Sequence, residues 1–240
     1  MDIAIIFVGQ LRSHSATWAS LNRTFGEYYV YVSMWRPLIN PAEKCSCFEH
    51  MVNIHEAKWL DPKQRRPLAE TLISDQMNIE PFSYSVYKGL QLVVDKPHNI
   101  IACVRSDIVY SRPISFQLRE GGVIFGARSR FGKHKCTEMP DERFFYGTRA
   151  TMLRVGSFYV HLDEVHRQMQ KDTGYTRWPS VRNSIKGNIT FLNNPEGLFG
   201  RYLQWMHINC AVVRTPFIQV RTEESRWFHR RAVRFNGTCE

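Results

Sequence analysis

Two ionisable side chains interrupt an apolar run in the middle of this 240-residue chain. From Asn99 to Tyr110 it reads NIIACVRSDIVY, with Arg105 and Asp107 set two residues apart. Charges in such a run are costly unless they are paired, bind a metal or lie at a strand end. In open α/β sheets the carboxyl ends of strands are where ligands bind. Two readings are open. Residues two apart on an extended strand face the same side, so Arg105 and Asp107 can simply pair. Alternatively Asp107 holds Mg²⁺ or Mn²⁺ on a diphosphate while Arg105 orients it. Such hard cations bind through one or two carboxylates together with phosphate oxygens and water.

Other residues able to do chemistry stand at the ends of other runs. Gly9-Gln10-Leu11-Arg12 closes the apolar run Ile3 to Val8. A glycine there lets the backbone approach a ligand, and an arginine grips a phosphate with two donors; an ordinary polar turn accounts for the same residues. Asp141 follows the basic segment RSRFGKHK (128–135) and precedes FFYGT. Glu196 lies in Asn194-Pro195-Glu196, which opens a helix with an N-cap, a proline at the first position and an acid in the first turn. The helix dipole alone explains that acid. A general base must, however, be an ionised carboxylate at a cleft, and this position keeps one ionised.

Many standard chemistries lack their motif. The chain contains no G-x-x-x-x-G-K-[ST], no G-x-G-x-x-G after the first strand, no G-x-S-x-G and no H-E-x-x-H. His161 and His166 are five apart, which does not place them on one helix face. Cys45 and Cys47 form a C-x-C with no second pair at zinc spacing. Cys103 and Cys210 read as core thiols.

The elements that position these residues begin with strand Ile3–Val8. A helix capped by Ser13 or Ser15 follows, with Trp18, Leu21 and Phe25 on one face, and then the strand Tyr28–Trp35. This β-loop-α-β start predicts an α/β fold. Residues 36–67 contain four prolines and read as loop with one short strand, Met51–His55. Leu68–Met77 and Phe82–Asp95 are predicted helices, the second ended by Pro97. Strands Val123–Ala127 and Phe144–Thr148 follow. Val155, Phe158, Leu162, Val165 and Met169 mark an amphipathic helix. After irregular, basic 174–186 come the helix opened by Asn194, a late strand Val212–Val220 and a basic, aromatic tail at 226–234. No repeat or forced domain boundary is visible.

Lys and Arg outnumber Asp and Glu 32 to 22, a net charge of +10. That favours anionic partners without choosing among nucleic acid, nucleotide phosphate, lipid headgroup and acidic glycan. The 43% hydrophobic and 13% aromatic content describes a packed globular protein. No apolar stretch reaches the roughly 18 residues that span a membrane. The N-terminus reads as a strand rather than a signal peptide. The expected setting is cytoplasmic, with reduced thiols, and the N-x-T triplets at Asn188 and Asn236 then carry no glycan.

Taken in order, IAIIFVGQLRS, the strand ending SMW, YSVYKGLQLV before IIACVRSDIVYSRPI, DERFFYGTRATM and NPEGLFGRYL resemble the GT-A-fold sugar-nucleotide glycosyltransferases. The likeness is to the small bacterial and viral group related to lipopolysaccharide and capsule biosynthesis, and it spans roughly residues 3–210. It implies a GT-A-like (Rossmann-like), mixed but mostly parallel sheet flanked by helices in a single domain over residues 1–240. The donor-binding part would be about 1–127 and the acceptor side about 128–240. It also implies a nucleoside-diphosphate sugar donor, a divalent cation (Mn²⁺ or Mg²⁺) and a glycan or lipid-linked acceptor. Asp107 takes the place of the metal-binding acid of D-x-D; Arg105 stands where that motif has its first acid. Gly9, Gln10 and Arg12 would meet the nucleotide or its diphosphate, and Tyr84 and Lys88 would line the donor pocket. Asp141 and Glu196 compete for general base and acceptor contact, with Glu196 favoured as base.

The basic segments 128–135 and 226–234 would hold an anionic acceptor or rest on an acidic membrane surface, or are solvated surface. The rival classes are a nucleotidyltransferase, whose phosphate loop is ordinarily richer in glycine and carries a lysine; a basic nucleic-acid-binding module; and a transferase-like fold kept for binding alone. The dispersed basic residues form no recognisable nucleic-acid motif, so no nucleic acid is expected as partner.

Overall fold

A computed structural model describes residues 2–11, 14–37, 40–51, 53–61, 79–118, 120–126, 142–173, 195–213 and 217–220. Arg12, Asp141, the expected helix Leu68–Met77, the basic segments 128–135 and 174–186 and the tail 226–234 lie outside these residues, as does the side chain of Glu196.

The main sheet has seven strands in the order β3-β2-β1-β4-β7-β6-β8. They are β1 (Ile3–Gln10), β2 (Tyr29–Trp35), β3 (Ile54–Leu60), β4 (Ile100–Arg105), β6 (Gly122–Phe125), β7 (Phe144–Thr148) and β8 (Asn209–Val212). β1 to β4 run parallel, β7 alone is reversed, and β6 and β8 are parallel to one another. β5 (Ile108–Tyr110) leaves the main sheet and pairs antiparallel with β9 (Phe217–Gln219) as a separate two-stranded sheet.

Alternate residues of the central strands feed two apolar layers, which is why IAIIFV and IIACV read as unbroken apolar runs. Ile3, Ile5 and Phe7 of β1 face α1 (His14–Phe25) and α2 (Pro41–Met51) through Leu21, Phe25 and Phe48. Ala4, Ile6 and Val8 face α3 (Ile79–Gln91) through Phe82, Val86 and Leu90. That second layer also holds α4 (Arg149–Gly156), α5 (Leu162–Thr173) and α6 (Pro195–Trp205) through Met152, Val165 and Phe199. Gly89 of α3 rests directly on the sheet: a Cβ there would stand 2.6 Å from Ile6 Cγ2. The α/β class and the largely parallel sheet expected from sequence are present.

Four expectations need correction. Residues 36–67 are not loop with a strand at 51–55; they contain α2 and, later than expected, β3. Pro41 does not break structure there because it occupies the first helical position, where its missing N–H costs nothing, and the Lys44 N–H meets the Asn40 carbonyl at 3.1 Å. β3 was obscured because it is an edge strand with most residues exposed, so its apolar pattern does not alternate. The stripe Val155–Met169 is two helices, α4 and α5, joined through a 3-10 turn at Ser157–Tyr159. The Ser157 hydroxyl donates to the Arg154 carbonyl at 2.7 Å, while Val155, Phe158, Leu162 and Val165 stay buried through the change. Val212–Val220 is two short strands in different sheets, the end of β8 and β9. Cys210 is an exposed residue of edge strand β8, not a core thiol. Cys103 is fully buried in β4, as expected.

Candidate active site

β1 and β4 are neighbours in the sheet, but the chain leaves them in opposite directions: from β1 towards β2, from β4 towards β7 and β6. Ligands of open α/β sheets sit outside the carboxyl ends of such a strand pair. Gly9, Gln10, Arg105 and Asp107 all lie at that edge, with Val8 opposite Arg105 in register.

Gly9 has φ +88°, a conformation that disfavours any Cβ. Its N–H donates to the Ser85 hydroxyl at 3.0 Å. Ser85 donates to the Phe82 carbonyl at 2.7 Å, and the Ser33 hydroxyl donates to the Ser85 carbonyl at 2.8 Å. The end of β1 is thereby tied to the first turns of α3. Gln10 is exposed, and its carbonyl accepts from the Ser106 hydroxyl at 3.2 Å. Thr17 of α1 donates to the Ser106 carbonyl at 2.6 Å. The loops after β1 and β4 are thus fastened to each other as well as to α1.

Asp107 lies in the turn between β4 and β5 and is 2% exposed. Arg105 grips it with two parallel bonds, Nε to Oδ1 at 3.0 Å and Nη2 to Oδ2 at 2.7 Å. Gln219 of β9 donates to the same Oδ2 at 2.9 Å, and the Val220 N–H meets the Asp107 carbonyl at 2.9 Å. The remaining arm of Arg105 donates from Nη1 to Glu142 Oε1 at 3.1 Å. Arg143 lies over the Phe217 ring, 5.2 Å from its centroid. Arg105, Arg143, Asp107 and Glu142 together carry no net charge. Of the two readings open from sequence, the ion pair is the one the geometry displays.

A divalent cation at Asp107 does not fit this arrangement. It would need an accessible carboxylate oxygen at about 2.0–2.1 Å for Mg²⁺, yet the side chain is 3% exposed and both oxygens accept hydrogen bonds. Bringing a dication in means displacing a guanidinium and leaving two positive groups side by side.

Tyr84 faces Trp35 at the end of β2, ring centroids 5.6 Å apart, and Tyr159 at 4.9 Å. Burial raises the Tyr84 hydroxyl above its ordinary pKa, with Tyr87 adding to the shift. Lys88 stands one helical turn further from the strand ends. Its ammonium lies over the Tyr84 and Tyr87 rings at 5.6 and 5.4 Å and donates to Gln91 Oε1 at 3.1 Å. Tyr84 thus borders the Gly9–Ser85 contact, while Lys88 belongs to an aromatic cluster beside it.

Glu196 lies in the first turn of α6. β8 begins opposite Gly122, the first residue of β6, so α6 ends near that far edge of the sheet. Its 11 residues span about 16 Å, which returns its first turn to the edge that carries Gly9 and Asp107. Phe199, packed on Phe82 at 6.3 Å and Phe125 at 6.1 Å, holds it there.

Sequence reasoning missed Ser85, Ser106, Glu142 and Gln219. Glu142 adjoins Asp141, the acid expected at the site, which lies outside the described residues. Ser85 falls inside the predicted helix Phe82–Asp95. Gln219 has no local signal, because its partner is 112 residues away. No protein-family model matches this chain, and no curated protein matches it.

Proposed function

We propose that this chain is a glycosyltransferase that moves a sugar from a nucleoside diphosphate to a glycan or lipid-linked acceptor. The observation that carries the reading is the strand plan. A parallel half, β3-β2-β1-β4, is continued by one reversed strand, and a two-stranded accessory sheet springs from the turn after β4. This supports the GT-A-like arrangement that the sequence resemblance implies, and with it a nucleotide bound at the carboxyl ends of β1 and β4.

In this reading the Gly9 turn, with no Cβ in the way, brings main chain close to the nucleotide. Gln10 faces it from the open edge, and Tyr84 and Trp35 wall one side. Arg105 offers positive charge near the diphosphate, held in place by Asp107. Glu196, at the start of α6, takes the acceptor proton as general base, and Asp141 contacts the acceptor. Free Cys45, Cys47 and Cys103 accord with a reducing, cytoplasmic setting. Among the described residues no helix is long and apolar enough to cross a membrane. The engaged Asp107 also favours a second reading, a transferase-like fold that binds nucleotide without transferring a sugar.

A thermal-shift screen of nucleotide sugars, followed by analysis of the stabilising donor for hydrolysis or transfer, tests both. A ligand at 100 times its Kd stabilises by about 2.7 kcal/mol, which is readily seen. Stabilisation with turnover supports transfer, stabilisation without turnover supports the binding fold, and no stabilisation by any nucleotide sugar defeats both.

A further inference from the structure

We infer that the donor diphosphate is held here without a divalent cation at Asp107, with the guanidinium of Arg105 supplying the positive charge in the cation's place. This rests on the glycosyltransferase reading above and goes beyond it, because the resemblance calls for a metal.

Three features carry the inference. First, the carboxylate that would bind the cation is committed. Oδ1 accepts from Arg105 Nε at 3.0 Å, and Oδ2 accepts from Arg105 Nη2 at 2.7 Å and Gln219 Nε2 at 2.9 Å. Second, the commitment is built from distant parts of the chain. Arg105 ends β4, Gln219 belongs to β9, and Glu142 precedes β7 and fixes the third arm of the guanidinium at 3.1 Å. Prying Asp107 loose for a metal would break its bonds to both Arg105 and Gln219. Third, the group that reaches the strand edge is the guanidinium and not the Asp107 carboxylate. The Arg105 side chain remains 19% exposed at the strand edge while Asp107 beneath it is closed off at 3%. A planar guanidinium suits phosphate oxygens. Asp107 is then a positioning residue that orients Arg105 and does not touch the ligand.

The test is calorimetric titration of the full chain with UDP, GDP, CDP and ADP, each in EDTA and again with Mn²⁺. Arg105→Gln, Asp107→Asn and the double variant, whose pair is neutral on both sides, follow with the diphosphate that binds. The expected result is a wild-type affinity unchanged between EDTA and Mn²⁺. Arg105→Gln and the double variant should weaken it by about 10- to 100-fold, the worth of a hydrogen bond to a charged group, equally in both buffers. If Mn²⁺ strengthens wild-type binding at least tenfold and Asp107→Asn abolishes that gain, the inference is overturned while the nucleotide reading stands. Metal-independent binding that ignores both Arg105 variants removes Arg105 from the role. If no diphosphate binds in either buffer, the glycosyltransferase reading falls and this inference with it. Should Arg105→Gln fail to fold, the wild-type comparison and the double variant still decide.

Discussion

Arg105 and Asp107 bind each other through both carboxylate oxygens, at 3.0 and 2.7 Å, with the aspartate almost wholly buried. Removing one partner of a buried pair strands the other's charge. Arg105→Ala is therefore expected to destabilise the fold by about 3–5 kcal/mol, whereas Arg105→Met with Asp107→Leu, which leaves only the part-exposed Glu142 without its partner, should lose markedly less. Urea denaturation of the two variants gives the comparison. Equal losses would mean that the pair acts through packing and not through charge.

Gly9 concerns backbone alone. A Cβ at this position meets nothing within 4 Å, yet φ is +88°. Gly9→Ala should cost about 1–2 kcal/mol, and Gly9→Asn less, since asparagine tolerates the left-handed region better. Melting temperatures of the two variants check the order; an alanine variant as stable as wild type would show that the turn relaxes freely.

Gly89 poses the opposite case, one of space. Its absent side chain lets α3 lie on β1 and β2, and a Cβ would stand 2.6 Å from Ile6 Cγ2 and 3.1 Å from Ser33 Cβ. Overpacking of this kind costs about 1–3 kcal/mol, or about 2–4 °C of Tm per kcal/mol at this chain length. Because Ser33 also donates to the Ser85 carbonyl, Gly89→Ala is expected to weaken nucleotide binding along with stability.

Truncating Phe199 tests what holds the start of α6. The ring is 2% exposed and packs against Phe158 at 5.2 Å and Phe145 at 5.7 Å as well as Phe82 and Phe125. Phe199→Ala should cost about 3–5 kcal/mol, and Phe199→Leu considerably less. If the leucine variant keeps its stability but loses turnover, the position of α6 matters to the reaction and not only to the core.

Acid sensitivity should come from the other end of the sheet. His98 is 3% exposed and meets the Tyr31 hydroxyl at 2.8 Å through Nε2, while its Nδ1 has no hydrogen-bond partner. Burial holds its pKa below the usual histidine value; Asp2 opposes the shift, and His55, Lys96 and Arg149 add to it. A neutral ring in the native state means that the unfolded chain takes up the proton first. The contribution is therefore complete above the unfolded pKa of about 6.5 and is lost as pH falls through the lower native value. Urea midpoints taken from about pH 7 down to pH 5 should decline for wild type and stay flatter for His98→Gln. Parallel declines would assign the sensitivity to other groups.

β1, β2 and β4 of the parallel half were legible because they are buried on both faces and so read as unbroken apolar runs. The half-exposed elements were not. β3 lies at an edge, and α2 buries little beyond Cys45 and Phe48. The join between α4 and α5 leaves no mark because the apolar stripe continues through it. At the candidate site, Gly9, Arg105 and Asp107 stood out by position, since polar residues at the ends of apolar strands demand explanation. What Arg105 and Asp107 do to one another was already one of two possibilities. Gln219 could not be found at all, because contact between residues 107 and 219 is a property of topology and leaves no trace in local sequence.

That long-range contact orders events during synthesis. The chain emerges N-terminus first, and domains form as their segments become available. β1 to β4 are complete once Arg105 has been made, so the parallel half can assemble early on the ribosome. Asp107 must then wait for Gln219, 112 residues later in the chain, and β5 for β9. A nascent polypeptide halted between β8 and β9 would own its main sheet and still lack the hydrogen bond from Gln219 and the strand pairing that seat the Arg105–Asp107 turn. The Arg105–Asp107 turn proposed to meet the nucleotide thus matures only after β9 has emerged, and a product cut short before β9 would hold its main sheet without that turn seated.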